Sequence, residues 1–249
     1  MPYDSLSLLL LFASALLGGG LNAVAGGGTF FTFPALTFVG LPLLEANATS
    51  TLALWPGSLL SAITLRREWI TYRNRLIAWL IASLMGGMTG ALLLLRLSPD
   101  VLEKLFPYLL LSATLLFAFR SQLEHQHTQN RVVPDWLQTF AIFVVAIYGG
   151  FFGGGIGILF MATFSLFGLR DLHHANALKT LLATFINGIS VATFMVSGVI
   201  VWPAAFVMIG GSTIGGYLGA RFTRRIPAPA LRATVIGIGL LLTVYFFLR

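Results

Sequence analysis

The chain contains no cysteine, so disulfides, thiolate nucleophiles and Cys-ligated metal sites are excluded. Charge is also scarce. Asp, Glu, Lys and Arg together make up 9% of the 249 residues, against roughly 25% in a soluble domain. With 57% hydrophobic residues, such a chain cannot cover itself with a wet surface. Acidic side chains are the scarcest, 8 against 15 Lys and Arg, leaving a net charge of +7. That excess lies in short gaps between apolar runs, as the positive-inside rule describes, and not along a stripe that could track a polynucleotide. Nucleic acid is therefore not an expected partner. No Walker-type "GK[ST]", Ser–His–Asp set or metal cluster is present, which argues against an enzyme and against ATP-driven pumping. No cofactor is expected.

The sequence does carry long apolar runs, many near the ~20 residues that cross a bilayer. The fold class read from them is an all-α polytopic membrane protein. The N-terminal run "LLLLFASALLGGGLNAVA" ends in an A-x-A-like triplet, as a secretory signal can. The preceding "MPYDS" has no Lys or Arg and carries Asp4, so the segment is expected to be retained.

Glycines punctuate these runs in two places. Residues 23–36 read "AVAGGGTFFTFPAL" inside a stretch, 5–44, with no charged side chain. Glycine costs ~1 kcal/mol relative to alanine in a helix interior, so a triplet should break one. The pattern returns 129 residues later. Gly26 and Gly28 fall on Gly155 and Gly157, Ala46-Asn47-Ala48 on Ala175-Asn176-Ala177, and Thr51-Leu52 on Thr180-Leu181. Ser61 and Thr64 meet Ser190 and Thr193, and Gly86-Gly87-x-x-Gly90-Ala91 meets Gly215-Gly216-x-x-Gly219-Ala220. Apolar composition alone would align Leu and Phe, not Gly, Asn and Thr. The chain is read as a duplication: a membrane repeat over 1–119, a polar linker over 120–135 and a second repeat over 136–249, forming one transmembrane unit.

Each repeat opens on a long segment, 5–44 and 137–169, followed by three ordinary spans: 46–65, 75–96 and 101–119, then 175–197, 199–220 and 229–248. The opening segments are either single tilted spans or hairpins that turn at the glycines. Charge placement favours hairpins. Five membrane-entering pieces per repeat invert the second repeat. Arg66, Arg67, Arg73 and Arg75, the linker, Arg170 and the Arg221–Arg225 cluster then share one side, leaving Arg96, Lys104 and Arg249 opposite. Both termini are then expected outside.

Irregular backbone survives at membrane depth only when buried in protein or lining a water-filled cavity. The breaks at Gly26, Gly27 and Gly28 and at Gly153, Gly154, Gly155 and Gly157 therefore read as two half-helix starts near the midplane. Exposed N–H groups and the positive dipole ends would bind an anion there. Close helix packing is the competing role for such glycines.

The stretches "LNAVAGGGTFFTFPAL", "LPLLEANATSTLAL", "YGGFFGGGIGILFMATFSLFGLRDLHHANALKT" and "GGSTIGGYLGARFTRRIP" resemble the two repeats of the TauE/SafE family of sulfite exporters. The resemblance covers nearly the whole chain. It implies a multi-pass permease of the plasma membrane (the inner membrane in a bacterium) for sulfite, sulfonates or thiosulfate. The second repeat departs from the first in placing Ile156 before Gly157.

Several side chains could serve transport. Lys179 lies inside an apolar span, where a charge is costly and often functional. It could attract the anion, or snorkel to the interface. Asn47 and Asn176 stand near helix starts, either as N-caps or as amides of an oxyanion site. Thr49, Ser50, Thr51 and Thr180 could add hydroxyls or bond back to their own helices. Asn22 and Asn187 are further candidates. Glu45, His173 and His174 could relay protons, or be loop residues; His125 and His127 make a poor metal site. Gly86-x-x-x-Gly90 and Gly215-x-x-x-Gly219 suit close helix packing, and Trp69, Trp136 and Trp202 suit interfacial anchoring. The expected partners are a small anion and the bilayer, with the proton a candidate coupling ion and a homodimer a candidate assembly. The reading is a secondary transporter; the alternatives are an anion channel and a membrane structural or assembly protein.

Overall fold

The structure is a computed structural model describing residues 4–24, 27–119, 133–169, 171–222 and 228–248. Gly26, Arg170, Arg249, Arg224, Arg225 and the 120–132 part of the linker lie outside the described residues. Among those described, the chain is all α-helical. The first half comprises α1 (Ser5–Val24), α2 (Thr29–Phe38), α3 (Leu43–Thr64), a short α4 (Arg66–Trp69), α5 (Arg73–Arg96) and α6 (Pro99–Ala118). The second comprises α7 (Asp135–Phe151), α8 (Ile156–Leu166), α9 (Leu172–Val196), α10 (Trp202–Phe222) and α11 (Ala228–Leu248).

Both opening segments break where the glycines stand. The short helices that follow, α2 of 10 residues and α8 of 11, reach about 15–16 Å at 1.5 Å per residue. That is half of a ~30 Å hydrocarbon core. Each is stopped the same way. Gly40 at φ +91° lets the Leu41 N–H reach the Leu36 carbonyl, and Gly168 at φ +82° lets Leu169 reach Phe164. This pattern satisfies end carbonyls that lipid could not. The duplication extends to side chains: Thr51 and Thr180 donate to the Asn47 and Asn176 carbonyls, each at 2.8 Å.

The halves interlock by exchange. Helix α1 packs along α10, and α7 along α5; α3 crosses α9, and α6 pairs with α11. Glycine makes the first two contacts tight. A Cβ on Gly86 would sit 2.6 Å from both the Ala146 Cβ and the Phe143 carbonyl, Gly90 faces the Ile147 carbonyl, and Gly150 abuts Gly87. On the other side a Cβ on Gly211 would meet the Phe12 carbonyl at 2.5 Å, Gly215 faces Leu16, and Gly19 abuts Ser212. Small residues are what let helix backbones approach in lipid. The contact order, 12 with 211 and 16 with 215, then 86 with 143 and 90 with 147, runs each pair in the same direction.

The outer surface is as apolar as the interior. On α5, Leu76, Trp79, Ala82 and Ala91 are buried, whereas Ile77, Ile81, Met85 and Met88 are exposed. A helix hydrophobic all round belongs in a bundle facing lipid. Three described helices are long and apolar enough to cross a membrane, with windows Ser5–Asn22, Arg75–Arg96 and His173–Val196. Trp136 and Trp202 are exposed at helix starts, as anchors require. Trp69 instead donates to the Ala62 carbonyl at 3.0 Å and closes the end of α3.

Gly90→Val should push α5 off α7 and cost at least ~1–3 kcal/mol, the usual penalty of overpacking. The expected reading is a lost or several-degree-lower thermal transition in detergent. Gly237→Ala on α11, where a Cβ meets nothing within 4 Å, should melt like the parent; equal melting of both variants would refute the tight crossing.

Candidate functional site

The two breaks are built differently. At the first, Gly28 keeps helical angles (φ −56°, ψ −32°), and a Cβ there would meet Leu54 side-chain carbons at 3.0 Å. Here glycine serves close approach of α1, α2 and α3. At the second, Gly153 (φ +76°) and Gly155 (φ +75°) take left-handed angles that only glycine adopts cheaply. Ile156 then starts α8 as an ordinary helical residue, so its departure from the glycine pattern leaves the break intact. Tyr148 on α7 reaches across this turn, its buried hydroxyl donating to the Gly154 carbonyl at 2.7 Å.

Between the halves lies a cavity of about 580 Å³. Its walls come from α1, the start of α2, α3, the α7–α8 break, α9 and α10. Of the sequence candidates it gathers Thr51, Gly153, Gly157, Asn176, Lys179 and Thr180, together with Asn22 and Asn187. Lys179 is half-buried, two turns into α9, and is the charged side chain on this wall among the described residues. The amides of Asn176 and Asn187 make no hydrogen bond within the described residues. Asn22 donates to the Ser58 hydroxyl at 3.1 Å.

Other candidates fall off the wall. Gly27, Gly28, Gly154 and Gly155 are not among the lining residues, and neither is Asn47. Asn47 is buried and donates its amide to the Phe151 carbonyl at 3.2 Å, tying α3 to the end of α7; its Oδ1 has no partner among the described residues. Neither Asn47 nor Asn176 is an N-cap, correcting one of the two sequence readings. The helices begin four residues earlier, at Leu43 and Leu172, and Asp171 caps the second through the His173 and His174 N–H groups. The Thr51 and Thr180 hydroxyls bond back to their own helix, which leaves lone pairs and no proton toward the cavity. Ser50, the duplicate of Lys179, is buried against Thr32 at 2.6 Å, and Thr49 accepts from the Val201 N–H at 3.1 Å.

His174 pairs with Asp171 at 2.7 Å, not with Glu45. That hydrogen bond, aided by the His173 and His174 backbone N–H groups, holds the Asp171 carboxyl below its ordinary range. The arrangement is a helix cap. Sequence reasoning missed Thr29 and Ser58 on the wall, Tyr148 at the break, and the pair at the centre of the crossing. There Trp55 Nε1 donates to the Thr184 carbonyl at 3.0 Å, and Thr184 donates to the Ser58 carbonyl at 3.1 Å. Trp55 and Thr184 are 129 residues apart, the duplication offset, so they are equivalent positions of the two halves.

A family profile described as "Sulfite exporter TauE/SafE" matches residues 11–246. The chain is 30% identical over 240 residues to a "Probable membrane transporter protein" of Haemophilus influenzae, covering 95% of this chain and 92% of that one. It is 30% identical over 217 residues to "Probable membrane transporter protein YfcA" of Escherichia coli K12, covering 87% and 80%. A Sinorhizobium "Probable membrane transporter protein ORF9" is 25% identical over 237 residues, covering 95% and 91%. No solved structure matches the chain.

Tyr148→Phe keeps the ring but strips the Gly154 carbonyl of its donor, a loss of about 1–3 kcal/mol for a buried acceptor. Thermal unfolding in detergent should fall by several degrees. An unchanged midpoint would show that the hydroxyl does not hold the turn.

Proposed function

The chain belongs to the sulfite exporter TauE/SafE family, and from that premise we propose that it is a secondary transporter of small sulfur-containing anions, held between two inverted repeats. The observation that carries this reading is the meeting of the α7–α8 break, Lys179 and the Asn176 and Asn187 amides on one cavity wall. The left-handed glycines turn the chain into α8, whose Ile156 and Ile158 N–H groups bond the Gly153 and Gly155 carbonyls. What this end offers a guest is the Gly157 backbone on the wall and the positive end of the helix dipole. Lys179, inside an apolar span, supplies the attracting charge in this reading.

Inversion is supported by direction. Trp55 contacts Gly188 and Thr184, while Ser58, further along α3, contacts Thr184 only from its carbonyl side. In this reading the equivalent helices α3 and α9 cross near their midpoints with opposed sense, as inverted-repeat transporters place their central helices. The cavity reaches along α3 from Thr51 to Leu65 and along α9 from Asn176 to Asn187, while residues 43–50 and 188–196 contribute nothing to it. Its open end adjoins Arg66 and Arg67, both exposed, and the positive-inside rule makes that side cytoplasmic.

In this reading an aromatic cluster closes the far side. Phe33 stacks on Phe106 at 5.0 Å and meets Phe152 and Phe246 at 6.2 and 6.1 Å. A cavity blind at one end favours a carrier over a channel, since a channel needs a continuous path. No nucleotide loop is present in the sequence, so an ion or substrate gradient drives the cycle in this reading.

Lys179→Met should abolish anion flux in proteoliposomes while leaving expression and melting near parental; undiminished flux would remove it from the site. The cysteine-free background permits a second check. A membrane-impermeant maleimide should label Ser61→Cys from the side of the Arg66–Arg67 turn only and be blocked by substrate, while Thr49→Cys, fully buried, stays unlabelled. Rapid labelling of Thr49→Cys from the opposite side would argue for an open pore.

A further inference from the structure

Helix α3 changes character at its middle. In its first half, residues 46–50 and 52–54 are buried. That half is also tied to its neighbours: Asn47 donates to the Phe151 carbonyl, Thr49 accepts from the Val201 N–H, and the Ala53 carbonyl accepts from Ser212. Of residues 55–64, Ala62 alone is buried, and Leu59, Leu60 and Ile63 are exposed. Pro56 and Gly57 stand at the boundary. Pro56 has no N–H to give the Leu52 carbonyl, so the helix ladder is interrupted there. Packing does not require Gly57, since a Cβ on it would meet nothing within 4 Å among the described residues. What the pair supplies is freedom to bend. The matched positions of α9 are Phe185 and Ile186. Ile186 is fully buried, and burial continues beyond it through Ser190, Val191 and Phe194.

We propose that Pro56–Gly57 is a hinge on which the end of α3, from Ser58 to Thr64, swings to open and close the cavity, an inference that rests on the transporter reading above. Ser58, Leu60, Ser61 and Thr64 line the cavity, so moving this arm reshapes its mouth directly. A segment with few buried side chains opens at low cost, whereas the packed half of α3 and the continuous α9 stay in place. The crossing marks the pivot. Trp55 Nε1 donates to the Thr184 carbonyl at 3.0 Å just before the hinge, and Thr184 donates to the Ser58 carbonyl at 3.1 Å just after it. A swing keeps the first bond and breaks the second. Thr184 is not stranded by that loss, because its hydroxyl also reaches the Thr180 carbonyl at 2.7 Å. The Ser58 carbonyl turns toward the cavity. At the far end Trp69 holds the Ala62 carbonyl and so carries α4 along with the arm. The latch is the contact of Tyr72 with the His174 ring at 5.7 Å, both half-buried, at the start of α9.

The test pairs two variants that alter the cavity wall in opposite ways. Gly57→Ala adds a methyl group and Pro56→Ala removes ring carbons, yet both stiffen the helix. In proteoliposomes holding the full chain, each should lower maximal radiolabelled sulfite flux by about fivefold, the factor that glycine's helix penalty corresponds to. KM should stay near parental, and neither variant should melt below the parent. Gly237→Ala, a glycine with equally open surroundings on α11, should leave flux unchanged. Hydrogen exchange of the detergent-solubilised protein reads the hinge without flux. Amides of residues 58–64 should exchange at least about tenfold faster than those of 46–54, as a locally opening segment does beside a buried one. Either variant should slow them. Opposite effects of the two variants on flux, or a change in KM alone, would overturn the hinge in favour of a static wall. Equal protection on both sides of Pro56 would overturn it too. A parent that moves no sulfite would count against the transporter reading, and the exchange contrast then decides the hinge by itself.

Discussion

A backbone N–H or carbonyl placed in hydrocarbon must find a partner inside the protein, because lipid offers none. Every unusual feature of this chain answers to that constraint. Both opening segments break at their glycines, and in a membrane such a break is admissible only where protein surrounds it. The Gly154 carbonyl takes the Tyr148 hydroxyl, the Phe151 carbonyl takes the Asn47 amide, and the far ends of α2 and α8 close on Gly40 and Gly168. At the second break Gly153 and Gly157 line the cavity between the halves.

Glycine does two separable jobs in this arrangement. Gly153 and Gly155 supply backbone angles, turning the chain into α8. Gly19, Gly86, Gly90, Gly150 and Gly215 supply absence of volume, letting α1 lie on α10 and α5 on α7 with backbones in contact. The second job makes the first possible, since a break needs neighbours close enough to shield it. Dispersion across these faces does what the hydrophobic effect cannot do between helices already in lipid.

The duplicated halves are alike in backbone and unlike in chemistry. Thr51 and Thr180 sit in matching places and make matching bonds, and both reach the cavity. Asn47 and Asn176 match in sequence, yet one is a buried tie between helices and the other faces the open space. Ser50 is locked against Thr32, whereas its counterpart Lys179 lines the wall. Beside the cavity Phe33, Phe106, Phe152 and Phe246 pack ring on ring, whereas the wall around Asn176 and Lys179 is polar. In the transporter reading this asymmetry is what one stage of an alternating cycle looks like.

Much of the architecture was legible in the residues alone. Low charge and long apolar runs determined a helical membrane protein. The offset of 129 residues determined a duplication, and consecutive glycines determined where the helices break, because no other residue tolerates those angles or leaves that much room. Helix starts were misjudged by a turn at Asn47 and Asn176, since Ala and Asn continue a helix as well as begin one. Tertiary structure alone decided which of two matched asparagines meets the cavity and that Tyr148 braces the break. It also decided that Trp55 finds Thr184. Those choices depend on how two helices cross, which is set by packing between residues more than a hundred positions apart, and no local pattern encodes it.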